Sequence, residues 1–561
     1  MKGAKILIES LKKEGVEIMF GICGGSVIPL FDELYDDKDI KFMLTRHEQA
    51  AAHMADGYSR STGKVGVCVA TSGPGATNLV TGIATAFMDS IPMVAITGQV
   101  ATSLVGNDAF QEADTTGITR PITKHNYLVT DVKDLAKTVK EAFHLARTGR
   151  PGPVLIDLPV DVQRDSTRFS YPKNISMRGY KPKISGHTKQ IKAAAEAINK
   201  SKKPVIYAGG GVIISEASDL LRKLAQKGRI PVTETLMGTG SFPGDSPLFL
   251  GMLGMHGTYY ANQAMQKSDL IIAVGSRFDD RVTGRLSSFA PGAKIIHIDI
   301  DPTSISKTVA VDIPIVGDCK NVLKKLVPLI EEKERKQWHD KIKDWKKKHP
   351  LSYRKDSKLR PQYVIEQLDA LTGGNAIIAT EVGQHQMWAR QFFKYKRPRT
   401  FLTSGGLGTM GYGFPAAIGA KMGNPSETVI DIAGDGSFQM NIQELATAVI
   451  NKIPVIVAVM NNNYLGMVRQ WQELFFNKKY SQVCLGECHE KRVPDFAAVA
   501  EAYGAKGIRV ENKKDVSSAI KEALKHKDGP VVLDFIVEKE ENVYPMVPAG
   551  AALDEILIEM A

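Results

Sequence analysis

Short apolar runs that end in glycine-rich turns and lead into helical patterns recur along this chain. They confine it to an α/β architecture. Residues 65–70 run into Thr71-Ser72-Gly73-Pro74-Gly75, and residues 93–97 run into Gly98. Continuous apolar strands alternating with helices build parallel sheets covered on both faces. A chain of 561 residues exceeds one ordinary core, since domains hold about 100–200 residues each. Two polar, basic stretches, 164–187 and 331–357, read as a linker and as a basic helix with a second linker. They leave three blocks: 1–165, 188–329 and 360–545. Strands are expected at 204–208, 270–274 and 294–300 in the second block, and at 376–380, 428–433, 454–460 and 530–537 in the third. The expected fold is three consecutive doubly wound parallel-sheet domains, and the first and third could share one fold. No repeat at spacings of about 20–50 residues is visible.

Hydrophobic residues make up 43% and charged residues 24%, which excludes collagen-like, disordered and disulfide-scaffold classes. The net charge of +11 could attract polyanions. Much of it sits between Lys320 and Lys358, including Lys346-Lys347-Lys348, where a solvated helix and linker is the expectation. No aromatic-plus-basic motif points to nucleic acid. Five cysteines, Cys23, Cys68, Cys319, Cys484 and Cys488, suggest reduced thiols in a cytoplasm. Cys484, Cys488 and His489 lack a second pair to complete a zinc site. No apolar run reaches the ~18 residues of a membrane span. A helical pattern starts almost at once (Ala4, Ile6, Leu7, Leu11), so no leader peptide is expected.

The third block carries the most informative motif. Strand-like residues 428–433 end at Gly434-Asp435-Gly436. A helical pattern follows, and a second apolar run ends at Asn461-Asn462-Asn463. In one βαβ unit both strands deliver their carboxyl ends to the same sheet edge. Asp435 and Asn462 should therefore converge. A carboxylate, an amide oxygen and one backbone carbonyl suit Mg²⁺, which completes its shell with phosphate and water. Glycines allow close backbone approach to an anion. A plain tight turn is the alternative reading of Gly-Asp-Gly alone.

Gly-Asp-Gly, 24 intervening residues and Asn-Asn resembles the thiamin-diphosphate-and-magnesium motif of the thiamin-dependent decarboxylases and carboligases. The resemblance implies Asp435, Asn462 and the Tyr464 carbonyl as metal ligands. It assigns Gly434, Gly436, Ser437 and the loop Val382-Gly383-Gln384-His385 to the diphosphate end. Gly408 and Met410, in Gly405-Gly406-Leu407-Gly408-Thr409-Met410-Gly411, resemble the segment that props the cofactor in a bent shape. Met410 read alone could be a loop methionine filling a core gap. Arg46-His47-Glu48-Gln49-Ala50 resembles the site of the glutamate that bonds the cofactor's aminopyrimidine ring. Glu48 read alone would simply start an Ala-rich helix, where a carboxylate suits the dipole. In this family Glu48 comes from one subunit and the metal site from another, so a homodimer or tetramer with sites at the subunit interface is implied.

Across nearly the whole chain the sequence resembles the catalytic subunit of acetohydroxyacid synthases. The segments that carry this are Thr97-Gly98-Gln99-Val100, Asp108-Ala109-Phe110-Gln111-Glu112, Ile122-Thr123-Lys124-His125-Asn126-Tyr127, Arg277-Phe278-Asp279-Asp280-Arg281 and Leu465-Gly466-Met467-Val468-Arg469-Gln470-Trp471. The resemblance implies decarboxylation of pyruvate and transfer of the two-carbon unit to pyruvate or 2-ketobutyrate, in branched-chain amino-acid biosynthesis. It places Arg281 near the acceptor carboxylate, Trp471 in the acceptor pocket, and Phe110 and Gln111 against substrate. An added methyl in an apolar pocket is worth about 1–3 kcal/mol. Trp471 could instead be a core aromatic, and Arg281 a surface partner of Asp279 or Asp280. A separate small regulatory subunit remains open.

In the middle block, Tyr207-Ala208-Gly209-Gly210-Gly211 ends a strand, and Asp299 ends another. Such turns and acidic strand ends suit a dinucleotide. The resemblance raises this to a bound FAD without a redox part in the main reaction. It implicates Arg150, Gly209, Gly210, Thr235, Leu236, Met237, His256, Gly275, Arg277, Asp299 and Asp318. Met255-His256-Gly257 and Gly275-Ser276-Arg277 separate the chain from flavin-free catabolic acetolactate synthases. Cys23, Ala101-Thr102-Ser103 and Val160 depart from the family pattern by lacking a proline and cations near the substrate entrance. That puts acceptor preference in doubt, not the cofactor chemistry. A thiamin–flavin pyruvate oxidase or decarboxylase is the nearest rival. A nucleotide-binding redox enzyme would leave Glu48 and the Asp435–Asn462 pair unexplained.

Overall fold

The computed structural model describes residues 1–486 and 494–558. They form three six-stranded sheets, each entirely parallel within the strand pairs it contains. In spatial order, the first sheet runs Lys41–Leu44, Ile18–Gly21, Gly66–Ala70, Met93–Gln99, Pro153–Pro159, His125–Leu128. The third runs Phe401–Leu402, Ile377–Thr380, Val429–Gly434, Val455–Asn461, Val531–Ile536, Lys506–Val510. In local chain order both read second, first, third, fourth, sixth, fifth, so the outer sheets share one topology.

The middle sheet differs. Its spatial order is Ile313–Val316, Lys294–Asp299, Leu270–Val274, Pro204–Ala208, Val232–Glu234, Phe249–Met252. Read from the other edge this is third, second, first, fourth, fifth, sixth, the order of dinucleotide-binding sheets. Ligands bind such sheets where the strand order reverses, outside the carboxyl ends. In the middle sheet that point lies between Pro204–Ala208 and Leu270–Val274. In the third it lies between Ile377–Thr380 and Val429–Gly434. Strand interiors are buried throughout, as continuous Val/Ile/Ala runs require when helices cover both faces.

The first and third sheets are joined through helices Glu48–Thr62 and Gly413–Gly423. Two glycines allow this contact. A Cβ on Gly57 would lie 2.1 Å from the Ala416 carbonyl oxygen, and one on Gly419 would lie 1.9 Å from that of Met54. Small residues at these crossings let the backbones touch, and no larger side chain could be admitted without moving a helix.

The basic segment is only partly the solvated linker expected of it. Helix Lys336–Lys348 buries Trp338, Ile342 and Trp345, and the Trp338 indole donates to the Pro204 carbonyl at 3.2 Å. Most of its lysines face outward, Lys346 donates to the Phe249 carbonyl at 2.7 Å, and the aromatic stripe packs on one face of the middle sheet. The expectation of thiols throughout also needs correction. Cys23, Cys68 and Cys319 are free, whereas Cys484 is disulfide-bonded. Cys488 and His489 lie outside the described residues. Among the described residues no helix is long and apolar enough to cross a membrane.

Candidate active site

The strand register decides what meets at the third sheet's edge. Ala433 pairs with Val459 and Gly434 with Met460. The turns that follow therefore leave the sheet side by side, bringing Asp435 next to the residues after Asn461. The Asp435 carboxylate accepts from the Asn463 backbone. The Asn462 amide oxygen accepts from Tyr464 N at 3.0 Å, and its Nδ2 donates to Gln384 at 3.4 Å. Burial pushes the Asp435 carboxyl up to about 7, because a charged group is disfavoured where water is excluded. Such a carboxylate is relieved by a cation. Among the described residues no group of three or more His, Cys, Asp or Glu could hold a metal. The Asp435 carboxylate and the Asn462 amide oxygen are hard oxygens and fit Mg²⁺ rather than a softer ion.

His385 sits one turn away with its ring against Gly434; a Cβ there would fall 2.7 Å from Nδ1. Burial pushes its pKa down to about 3, so the ring is neutral. It bonds the Glu381 main chain, while Nε2 is buried without a partner. With the neutral ring's one N–H given to the Glu381 main chain, Nε2 is left as an acceptor beside the Gly434 turn. Gln384 is held by Gln470 and the Glu541 carbonyl, both at 2.9 Å. The Ser437 hydroxyl accepts from Val382 N at 3.4 Å.

A cavity of about 1040 Å³ opens beside this edge and runs into the middle sheet. It brings together many of the residues expected from sequence. Val382, Gly383, Gly408 and Met410 line it from the third sheet, and Arg281 and Trp471 from either side. The Arg281 guanidinium stands 6.0 Å from the Trp471 ring centroid. Arg281 also lies 3.7 Å from Asp280, the surface pairing weighed as its alternative, but both side chains are exposed. Such a pair contributes little and leaves the cation available.

The other arm of the cavity is lined by Arg150, Gly210, Thr235, Leu236, Met237, His256, Gly275, Arg277, Asp299 and Asp318. It lies at the middle sheet's switch point, and His256 Nδ1 is buried there without a partner. These features fit a dinucleotide such as FAD. Gly209 does not line the cavity. Its would-be Cβ points at Gly275 O, 2.3 Å away, so this glycine serves close packing of two strand-end loops.

Glu48, Phe110 and Gln111 lie elsewhere and do not line this cavity. Glu48 opens helix Glu48–Thr62 and is 9% exposed. Its Oε2 accepts from Asn78 Nδ2 at 3.0 Å, and Gly75 leaves room beside Oε1. Gln111 adopts a left-handed backbone, φ 58°, with its main chain against Gly73; Phe110 is 88% exposed. These three residues of the first block therefore stand apart from the cavity that Arg281 and Trp471 line.

Sequence reasoning missed several residues at these edges. Glu444, which opens helix Glu444–Ile450 of the third block, accepts from Arg46 N and His47 N at 2.9 and 3.0 Å, fixing the turn before Glu48. Glu381 accepts from the Met410 loop. Asp89 accepts from Gly405 N and Gly406 N at 3.0 and 2.8 Å. Met467, Val468, Gln472, Phe476 and Lys479 line the cavity wall near Trp471. No local motif marks an acceptor for backbone N–H groups hundreds of residues away.

Comparison with known proteins agrees with this architecture. Residues 1–118 match the thiamine pyrophosphate enzyme N-terminal TPP binding domain, 191–326 the central domain, and 381–535 the C-terminal TPP binding domain. The fold and its third-sheet edge are thus those of a thiamine pyrophosphate enzyme. An acetolactate synthase large subunit of Mycobacterium tuberculosis is 52% identical over 99% of this chain and 91% of its own length. That of Haemophilus influenzae is 48% identical over 100% and 98%, and a probable one of Methanocaldococcus jannaschii 52% over 99% and 95%. The chain belongs to the acetolactate synthase large-subunit family and is a thiamin-diphosphate-dependent carboligase.

Proposed function

We propose that this chain decarboxylates pyruvate and joins the two-carbon unit to a second pyruvate or to 2-ketobutyrate, in branched-chain amino-acid biosynthesis. The blocks 1–165, 188–329 and 360–545 serve as pyrimidine-binding, FAD-binding and diphosphate-binding domains. The observation that carries this reading is the cavity in which the Val382–Gly383 and Gly408–Met410 loops meet Arg281 and Trp471. Thiamin diphosphate, when bound, supplies the carbanion chemistry that a 2-keto acid needs to lose carbon dioxide. Asp435, Asn462 and the Tyr464 carbonyl would hold Mg²⁺, which would neutralise the diphosphate's charge. Gly383, Gln384, His385, Gly434, Gly436 and Ser437 shape its seat. Glu48 of a second copy holds a proton at its carboxyl against the pyrimidine ring. Arg281 binds the acceptor carboxylate, where a fixed cation pairs strongly with an anion. Trp471 offers an apolar wall that favours the extra methyl of 2-ketobutyrate. Phe110 and Gln111 close the pocket from the second copy. The active assembly is a homodimer or tetramer, with a separate small regulatory subunit as a further partner.

Product analysis tests this directly. Purified chain with thiamin diphosphate, Mg²⁺, FAD and pyruvate yields acetolactate, giving way to acetohydroxybutyrate when 2-ketobutyrate is added. Acetate, acetaldehyde or reduced flavin without carboligation would assign an oxidase or decarboxylase instead.

The segment around Cys23, Ala101–Ser103 and Val160 supports a second expected outcome. Here the Asp161 carboxylate accepts from Thr102 N at 3.1 Å and from its hydroxyl, and Thr102, Ser103 and Val160 supply no cation. An entrance of this charge attracts keto-acid anions weakly. Restoring cations with Ser103→Arg and Val160→Lys lowers the pyruvate KM several-fold at low ionic strength, and molar salt removes the gain. A KM insensitive to both changes would remove these residues from the entrance.

A further inference from the structure

The loop that carries Met410, the turn that carries Ser437 and the start of the Val382–His385 segment come from three different strand ends. Something must hold them in register, since each is a glycine-rich connection without an internal ladder. One side chain bonds the first two, and its own main chain leads into the third. Glu381 is fully buried at the end of strand Ile377–Thr380. Its Oε2 accepts from Gly411 N at 2.7 Å and from Ser437 Oγ at 3.0 Å, and its Oε1 accepts from Phe414 N at 3.1 Å. Ser437 Oγ in turn receives Val382 N, and the His385 ring bonds the Glu381 main chain.

We infer that Glu381 is a positioning residue for the cofactor: its carboxylate ties the Met410–Phe414 segment and Ser437 to the Val382–His385 loop, so that the seat exists before the cofactor arrives. This rests on reading those three segments as the thiamin diphosphate site.

The chemistry behind Glu381 favours a charged tether. Asp431, on the neighbouring strand, is fully buried, and neither of its oxygens has a hydrogen-bond partner. Burial pushes both carboxyls up: Glu381, held down in part by its hydrogen bonds, to about 7, and Asp431, with the adjacent Glu381 adding to the effect, well above the usual range. Two carboxyls so placed share one proton. The proton belongs on Asp431, which has no donors to stabilise a charge, and the charge on Glu381, which has three. A charge-assisted acceptor makes shorter and stronger bonds than a neutral one. An amide at 381 would keep the volume but turn an NH₂ towards N–H or O–H donors. An aspartate would keep the charge but lose one methylene of reach.

Isothermal calorimetry of thiamin diphosphate with saturating Mg²⁺ tests this on the full-length chain, alongside kcat at saturating cofactor. Glu381→Gln and Glu381→Asp are each expected to raise the cofactor Kd about 10–100-fold, the usual cost of losing an outer partner of a metal or ligand site, with kcat at saturation within about threefold. Asp431→Asn is expected to leave the Kd within about twofold. Circular dichroism and cooperative thermal unfolding establish that each variant is folded. An unchanged Kd in a folded Glu381 variant overturns the inference, as does an equal loss in Asp431→Asn, which would assign the effect to buried charge balance. If the unaltered chain binds no thiamin diphosphate, the site reading itself fails and the inference with it.

Discussion

Glu48→Gln lowers kcat for acetolactate formation by about 10²–10⁴-fold, the range for loss of a positioned acid–base group. Glutamine keeps the size and one acceptor, so the Asn78 contact to the 48 side chain at 3.0 Å can persist. It cannot hold or transfer a proton. The position is otherwise well fixed. Glu444 holds the two backbone N–H groups before it, His47 caps the helix through Gln49 N, and Gly75 keeps space clear beside Oε1. The expected signature is a collapse of turnover with thiamin diphosphate still bound, read by calorimetry on the same preparation. Near-full activity in the glutamine variant would sink the role proposed for Glu48.

The second large effect is on stability. Arg60 is buried and pairs with Asp56 at 2.5 Å and Asp89 at 3.0 Å, both also buried. Asp56 further accepts from the Tyr412 hydroxyl at 2.6 Å, and Arg60 lies 5.3 Å from that ring's centroid. Arg60→Met removes the cation and leaves two carboxylates without it in a water-poor interface. Breaking a buried pair on one side costs about 3–5 kcal/mol. Denaturant unfolding of the folded assembly measures this, and Asp56→Asn with Asp89→Asn added to Arg60→Met should restore part of the loss by removing the stranded charges. A single variant within about 1 kcal/mol of the parent would mean that these charges are solvated. Because Asp89 also anchors Gly405 N and Gly406 N, the same change should loosen the loop leading to Met410.

Much of the fold was legible because its signals are local. A buried parallel strand writes itself as a continuous apolar run, and a strand-to-helix turn as a glycine cluster. One βαβ unit with the usual handedness brings its two strand ends to one edge, so the convergence of Asp435 and Asn462 followed from their order along the chain. The same locality explains the misreadings. The Lys336–Lys348 helix looked solvated because its charges outnumber its apolar stripe, and only packing against the middle sheet revealed what the tryptophans do. Gly209 looked like a ligand-facing turn, yet its missing side chain makes room for Gly275.

By itself, then, the sequence determined the three parallel sheets, their strand-end turns and the chemical character of the edge that carries Asp435 and Asn462, because these depend on residues a few positions apart. The tertiary structure alone decided the rest. Two sheet topologies occur where the strand patterns look alike. Glu444 reaches the turn before Glu48, Asp89 (paired with Arg60) reaches the Gly405 loop, and Glu381 ties the Met410–Phe414 segment to Ser437. The cavity joins Arg281 to Trp471 across two domains. Each of these is a contact between residues tens to hundreds of positions apart, fixed by which helix faces close on one another, and periodicity along a chain carries no record of that.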